Sequence, residues 1–404
     1  MEAQSSQLVH SSRFIASSLR LLLDGRKLGD GGIGVYIENT IQGLLARGDT
    51  RITVISSREQ AERYSLSKEV SWIYDSSRGY SFSEYFLLSR RVDFSQFDIF
   101  HAPHYTLPFG VSIPTVVTIH DLIHIEQPAA FYYPFIAKRL IRLAVARASK
   151  VIAVSADTRQ ALIKLTGADP AKIVHIPNAI PSFILDSHNA EPLSDAARPL
   201  MVSADERYFV AVLSNTKPHK GVADLLRAWP LFVERYMRVS GAKRAPRLVL
   251  AGYGADGIRS DQRFADLVKR PGEISIVGSV DNDLLRHLYR GADALIVPSL
   301  AEGFCLPALE AQSVGARVVC RPVPAIKELI TANDIVAASL SVESLGDAIF
   351  KCAVDSKRDK EIQRNHLERF ALPVVAEQTR SVYASVLATE RRLVRQDLLK
   401  ARAV

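Results

Sequence analysis

The feature that most constrains this chain is an alternation that runs through it twice, in which short apolar β-type runs are separated by longer helical patterns. The first series of apolar runs is Leu19–Leu23, Ile52–Ser56, Asp98–His101, Thr115–Ile119, Val151–Ser155 and Val174–Ile176. The second is Tyr208–Leu213, Arg247–Ala251, Ile274–Val277, Ala294–Pro298 and Arg317–Cys320. Helical patterns fill the intervals, for example Ile33–Arg47, Phe135–Ala148, Asp157–Leu165, Val222–Tyr236 and Asp283–Gly291. Strands that are apolar at consecutive positions are buried on both faces, and strands that alternate with helices pair in parallel. The pattern therefore predicts an α/β protein with two doubly wound, Rossmann-like domains. It breaks between Pro177 and Tyr208, where Pro, Ser and Asp occur without periodicity. The expected organisation is a disordered leader over 1–18, a first domain over 19–190, a linker over 191–207 and a second domain over 208–373. A charged amphipathic helix over 374–404 ends the chain. Ligand loops in such sheets leave the carboxyl ends of the strands, so the two domains should face a central cleft.

At 404 residues the chain is too long for one ordinary core. Its 48% hydrophobic and 23% charged residues are those of a soluble globular protein. No apolar run approaches the roughly 20 residues of a membrane span, and Leu19–Leu23 is too short for a signal-peptide core. A cytoplasmic protein is expected. Cys305, Cys320 and Cys352 have neither the number for a disulfide framework nor metal-ligand spacing. A net charge of +8 suits phosphate-bearing substrates, an anionic membrane or nucleic acid. The positive residues are not gathered into runs, which disfavours nucleic acid as a partner.

Chemistry concentrates at strand ends. Glu302-Gly303-Phe304-Cys305-Leu306-Pro307-Ala308-Leu309-Glu310 follows the run Ala294–Ser299. Pro307 suits the first helical position, and a helix N-terminus with free N–H groups suits a diphosphate. Glu302 before that helix and Glu310 one turn inside it can accept hydrogen bonds from sugar or ribose hydroxyls. On their own they read equally well as a turn residue and a surface helix residue. Gly31-Gly32-Ile33-Gly34 opens another helix, where glycine lets backbone approach a ligand. Lys220 heads the helix Val222–Tyr236, where a fixed cation could neutralise a departing diphosphate. His120 follows the buried run Thr115–Ile119, at a strand end where ligands bind, and Asp121 beside it is placed to cap or orient its loop. His101 and His104 stand at another strand end as candidates for the acceptor side. Tyr253, between Gly252 and Gly254, and Val280 follow strands of the second domain and could shape a nucleobase pocket. Asp281-Asn282-Asp283 invites a metal reading, but its first two residues are placed to N-cap the next helix, so no metal is expected. Phe131-Tyr132-Tyr133-Pro134-Phe135 running into Lys138-Arg139-Leu140-Ile141-Arg142 could rest on an anionic membrane.

The segment Glu302–Glu310 resembles the paired-glutamate motif of glycosyltransferase family four, in its "EGFGLPxLEA" form with Cys305 in place of a Gly. The resemblance extends over roughly residues 19 to 390. It includes Asp24-Gly25-Arg26, His101-Ala102-Pro103-His104, Thr118-Ile119-His120-Asp121-Leu122, Val151–Ser155, Ile176-Pro177-Asn178 and Lys217-Pro218-His219-Lys220-Gly221. It implies the GT-B fold and sugar transfer with retention, from a nucleotide-sugar donor and without metal or other cofactor. The bacterial mannosyl- and rhamnosyltransferases of surface polysaccharides are the branch it resembles. That implies GDP-mannose as donor and a glycan or lipid-linked saccharide as acceptor, with possible peripheral contact at the cytoplasmic face of the inner membrane. UDP-glucose, GDP-rhamnose and GDP-fucose are the alternative donors. A sugar-nucleotide epimerase or a phosphorylase shares the fold, but the cofactor-lysine motif of a phosphorylase is not seen. By the resemblance His120, Lys220 and Glu302 carry the chemistry, and Gly31 and Gly32 close over the donor phosphate. Gly303, Phe304, Cys305, Leu306 and Glu310 also contact the donor. The family often has an Arg where this chain has Ser214, which leaves Asn215 or Lys217 to supply that phosphate contact. The resemblance further implies that the last helix crosses back to the first domain, with Val382, Val386, Leu393 and Leu398 on one stripe. Phe370-Ala371-Leu372 stands where relatives have Phe-Ser-Trp, and Pro373 would break or start a helix there, consistent with a hinge.

Overall fold

The computed structural model describes residues 18–64, 69–77, 82–127, 132–185, 206–269, 274–355 and 359–402. Two parallel sheets organise the chain. The first contains β1 (Leu19–Asp24), β2 (Thr50–Ser56), β3 (Val70–Tyr74), β4 (Ile99–Ala102), β5 (Thr115–Ile119), β6 (Lys150–Ala153) and β7 (Ile173–His175), in the order β3-β2-β1-β4-β5-β6-β7. The second contains β8 (Tyr208–Val212), β9 (Arg247–Ala251), β10 (Ile274–Gly278), β11 (Ala294–Val297), β12 (Arg317–Cys320) and β13 (Ile335–Val336), in the order β10-β9-β8-β11-β12-β13. Each sheet carries an apolar core on both faces, which is why its central strands are apolar at successive positions. β3 and β13 had no counterpart in the sequence reading. Both are edge strands, β3 mixes exposed with buried positions and β13 has two residues, so neither makes an apolar run.

Eight longer helices matter here: α1 (Gly31–Arg47), α2 (Tyr133–Arg147), α3 (Ala156–Thr166), α4 (Val222–Ser240), α5 (Asn282–Gly291), α6 (Leu306–Ser313), α7 (Val342–Val354) and α8 (Leu372–Arg402). α1 starts two residues earlier than the sequence reading placed it, and α6 starts at Leu306, so Pro307 is the second helical residue. The linker residues 191–205 and the leader up to residue 17 lie outside the described residues.

Pro373 stands in the first turn of α8, where its missing N–H breaks no bond. The helix lies against α1 of the first domain. A Cβ at Gly43 of α1 would stand 2.8 Å from Ala376, Arg47 pairs with Glu377, and Val375, Val382, Tyr383 and Val386 are buried. The apolar stripe ends there. Leu393, expected to continue it, is 50% exposed, and the Leu398 side chain lies outside the described residues. Each sheet changes direction next to its first strand, between β1 and β4 and between β8 and β11. Those two switch points are where ligands enter doubly wound folds, and the site is built there.

Candidate active site

The second-domain wall rises from the switch point between β8 and β11. After β8 the chain runs through Ser214 and Asn215 to a short turn at Pro218–Lys220, then α4. Gly221 joins turn to helix with φ 65°, and a Cβ there would overlap the Pro298 carbonyl oxygen. Only glycine permits that approach. The Leu300 amide donates to the His219 carbonyl at 2.7 Å, so the turn is stitched to the loop after β11. The consequence is a fixed charge pair. Lys220 Nζ lies 2.7 Å from Glu302 Oε1, which also accepts from the Ser299 hydroxyl at 2.7 Å. Burial favours a neutral Lys220, but the Glu302 carboxylate overcomes it and holds the ammonium above its usual pKa. Both side chains keep part of their surface open, 21% and 11%.

The loop then turns into α6. Cys305 takes φ 77°, the one non-glycine residue with positive φ among the described residues. It occupies the place where the family pattern has glycine, and the backbone there is left-handed, as that glycine would allow. Phe304 is buried with its ring edge against Phe370, 6.0 Å between centroids. Glu310, one turn inside α6, is buried and accepts from the Tyr289 hydroxyl at 2.8 Å. Burial raises its carboxyl to about 7, and the Tyr289 bond only partly offsets this.

The first-domain wall meets this loop directly. A Cβ on Gly303 would overlap the His120 carbonyl oxygen and stand 2.8 Å from Asp121 Cβ, so the ends of β5 and β11 touch through glycine. A Cβ on Gly32 would lie 3.6 Å from Leu306, which sets the N-termini of α1 and α6 against each other across the cleft. His120 is half-buried, and its Nε2–H donates to the Pro103 carbonyl at 2.9 Å. That bond makes Nδ1 the lone-pair nitrogen, and burial lowers the imidazole to about 4, so His120 is neutral at pH 7. The Asp121 carboxylate accepts from the Ile123 amide at 3.0 Å and orders the turn that follows. His120, Lys220, Glu302, Gly31, Gly32, Gly303 and Leu306 thus converge on one cleft.

His101 and His104 do not join them. His101 is fully buried, with Nδ1 at 2.7 Å from the Tyr383 hydroxyl and Nε2 at 2.8 Å from the Thr118 hydroxyl. Burial lowers it to about 3. His104 is buried 3.3 Å from Asp24. Burial alone would protonate Asp24, yet Arg26 and His104 keep it ionised well below the usual carboxylate range. Arg26 also pairs with Glu84 at 3.1 Å. The ligand atoms of Asp24, Glu84 and His104 lie close enough for a metal ion, but the Arg26 guanidinium already supplies the positive charge among them. The expected acceptor-side histidines are therefore core groups, because β4 is buried to its last residue.

On the second-domain rim, Tyr253 is 82% exposed, Val280 is half-buried, and Asn215 Oδ1 accepts from the Lys217 amide at 3.0 Å. Ser214 is exposed beside them. Asp281 caps α5, accepting from the Leu284 amide at 2.8 Å, and Asp283 pairs with Arg286. The sequence reading missed Tyr36, whose ring edge meets the His120 ring at 5.0 Å, and Ser299, which orients Glu302. Tyr36 lies one turn after Gly32 in α1, the spacing that aims a long side chain back over the helix N-terminus.

Two parallel-sheet, Rossmann-like domains meeting at such a cleft are the GT-B fold. The chain belongs to glycosyltransferase family 4: residues 30–182 match the family "Glycosyltransferase Family 4", and residues 195–369 match "Glycosyl transferases group 1". It is 28% identical over 265 residues to O-antigen chain mannosyltransferase B of Escherichia coli, spanning 64% of this chain and 65% of the relative. It is 23% identical to O-antigen chain mannosyltransferase RfbU of Salmonella typhimurium, over 67% of this chain and 72% of the relative. The fold is similar to that of HepE from Anabaena, solved with UDP and glucose, with TM-score 0.66 and 19% identity over 91% of this chain and all of the other.

Proposed function

We propose that this glycosyltransferase moves mannose from GDP-mannose, with retention, to a hydroxyl of a glycan or lipid-linked saccharide in bacterial polysaccharide synthesis. The observation that carries the reading is the Lys220–Glu302–Ser299 cluster, on the loop that leads into α6 and touches the end of β5 at His120 through Gly303. In the proposed step the bond from the anomeric carbon to the diphosphate oxygen breaks. The acceptor oxygen bonds to that carbon from the same face, and its proton passes to the departing phosphate. Lys220 and the two helix termini would stabilise the charge on the leaving diphosphate. Glu302 and His120 Nδ1 would hold the sugar, and Glu310 the ribose. Neither glutamate is presented as a nucleophile, since Glu302 is engaged by Lys220 and Glu310 by Tyr289, which supports front-face attack over double displacement. The fixed ammonium of Lys220 supports charge neutralisation without a metal. The choice of mannose rests on the two O-antigen mannosyltransferase relatives. Tyr132, Tyr133, Phe135 and Ile136 are exposed at the start of α2 beside Arg139 and Arg142, which supports peripheral contact with an anionic membrane; Phe131 lies outside the described residues. No helix among the described residues is long and apolar enough to cross a membrane.

A thermal-shift comparison of GDP-mannose with UDP-, ADP- and dTDP-sugars tests the donor, because a selective ligand stabilises according to its binding free energy. GDP-mannose should give the largest shift, and transfer should persist in EDTA. Lys220→Ala and Glu302→Ala should each lower transfer by about 100-fold or more while remaining folded. Rates within a few-fold of wild type would remove the site assignment, and activity restored only by Mg2+ would remove the metal-free mechanism.

A further inference from the structure

α8 is linked to His120 through the interior of the first domain. From Tyr383 a continuous line of polar groups crosses the buried core. The Tyr383 hydroxyl meets His101 Nδ1 at 2.7 Å, His101 Nε2 meets the Thr118 hydroxyl at 2.8 Å, and that hydroxyl meets the Tyr36 phenol at 2.8 Å. All four side chains are buried. The line reaches Tyr36, whose ring packs edge-on against His120 with an interplanar angle of 85°.

The protons along this line are not independent. A neutral His101 carries one N–H, so there are two arrangements. In one, Tyr36 donates to Thr118, Thr118 to Nε2, and Nδ1–H to Tyr383. In the other, every bond is reversed. Each hydroxyl has a single proton, so a change at either end must be accommodated throughout, and a missing partner leaves a buried ring nitrogen unpaired. The line thus connects Tyr36 to a group on the last helix of the chain, Tyr383.

We propose that Tyr36 is a positioning residue for His120, and that Tyr383, through His101 and Thr118, sets it. Tyr36 braces the His120 ring against the Pro103 carbonyl, so that the imidazole keeps its orientation. The crossing helix thereby contributes to the site's geometry as well as to the tie between domains. This rests on the proposed contact of His120 with the donor sugar.

The test is a set of conservative variants: Tyr383→Phe, Thr118→Val, Tyr36→Phe and the double variant Tyr383→Phe/Tyr36→Phe, with His120→Ala as reference. For each, kcat and the donor KM are measured with the released nucleotide as readout, alongside Tm. The expected result is a fall in kcat of about five- to tenfold for each single variant with donor KM within twofold. The double variant should be no slower than the worse single, the non-additivity of residues in one network. A loss of Tm with kcat unchanged, or losses in kcat that multiply in the double variant, would overturn the positioning role. His120→Ala retaining wild-type transfer would instead overturn the donor-contact reading on which it rests.

Discussion

At the scale of single residues, Cys305 at the start of α6 and Glu310 one turn inside it each carry an energetic cost. Cys305 holds φ 77° at the N-cap of α6 and is buried. The left-handed region costs a residue with a Cβ roughly 1–2 kcal/mol, and a β-branched residue more. At an ordinary buried position valine would be tolerated better than glycine. Here the order should invert: Cys305→Gly should unfold in urea within about 1 kcal/mol of wild type, and Cys305→Val should lose about 2 kcal/mol or more. Equal losses would show that packing of the thiol, not the backbone, dominates. Glu310 stores a different cost. Its folded carboxyl titrates near 7 against 4.5 for an ordinary glutamate, chiefly because it is buried. Between those values the folded state keeps a proton that the unfolded chain has released, so stability falls as pH rises through the window and levels off above it. The full drop is on the order of 3 kcal/mol. Glu310→Gln should match wild type near pH 4 and exceed it increasingly up to about pH 7, read as the difference in urea midpoints. Parallel profiles would mean that the carboxyl is not held neutral.

At the scale of elements, α8 behaves as two halves. Up to Val386 it buries Val375, Ala376, Val382 and Tyr383 against the first domain, and beyond residue 390 its described side chains are exposed. Burying a large aliphatic side chain contributes about 1.5–3 kcal/mol, so the first half holds a sum comparable with the whole stability of a domain. A chain ending at Thr389 should keep its Tm within a degree or two. A chain ending at Ala371 should lose protection of the first-domain strand amides in hydrogen exchange. If both truncations behave alike, the packing of α8 on α1 is not what stabilises that domain. The same element scale explains which strands could be read beforehand. Core strands such as Thr115–Ile119 and Arg247–Ala251 have the bounds their apolar runs announced, whereas Val70–Tyr74 and Ile335–Val336 sit at sheet edges with too little buried apolar length to stand out.

At the scale of the whole molecule, the two domains meet through backbone at Gly303 and through a carboxylate at Glu328. Gly303 lies on the His120 carbonyl, and the Ile180 amide donates to the Phe370 carbonyl at 2.9 Å behind it. Glu328 of the second domain reaches the N-terminus of α3, accepting from the Ala156 amide at 2.6 Å, and stands 3.1 Å from His175. These contacts join the two domains. Much of this was legible in the residues alone. Continuous apolar runs dictate two parallel sheets, because only strands buried on both faces are written that way. Strand ends followed by Gly and Lys point to loops suited to an anion. What the residues could not express is the partner each side chain finds across long sequence separations. His101, His104 and His120 all stand near strand ends and look alike in sequence. Burial and hydrogen bonding separate them, since His101 is satisfied by Tyr383 and Thr118, His104 stands beside Asp24, and His120 alone of the three is half-buried in the cleft. Local pattern thus determined the layers and the loops, through periodicity and backbone preference. Which titratable group faces the cleft was decided by desolvation, a property of the assembled core that no short stretch of this chain contains.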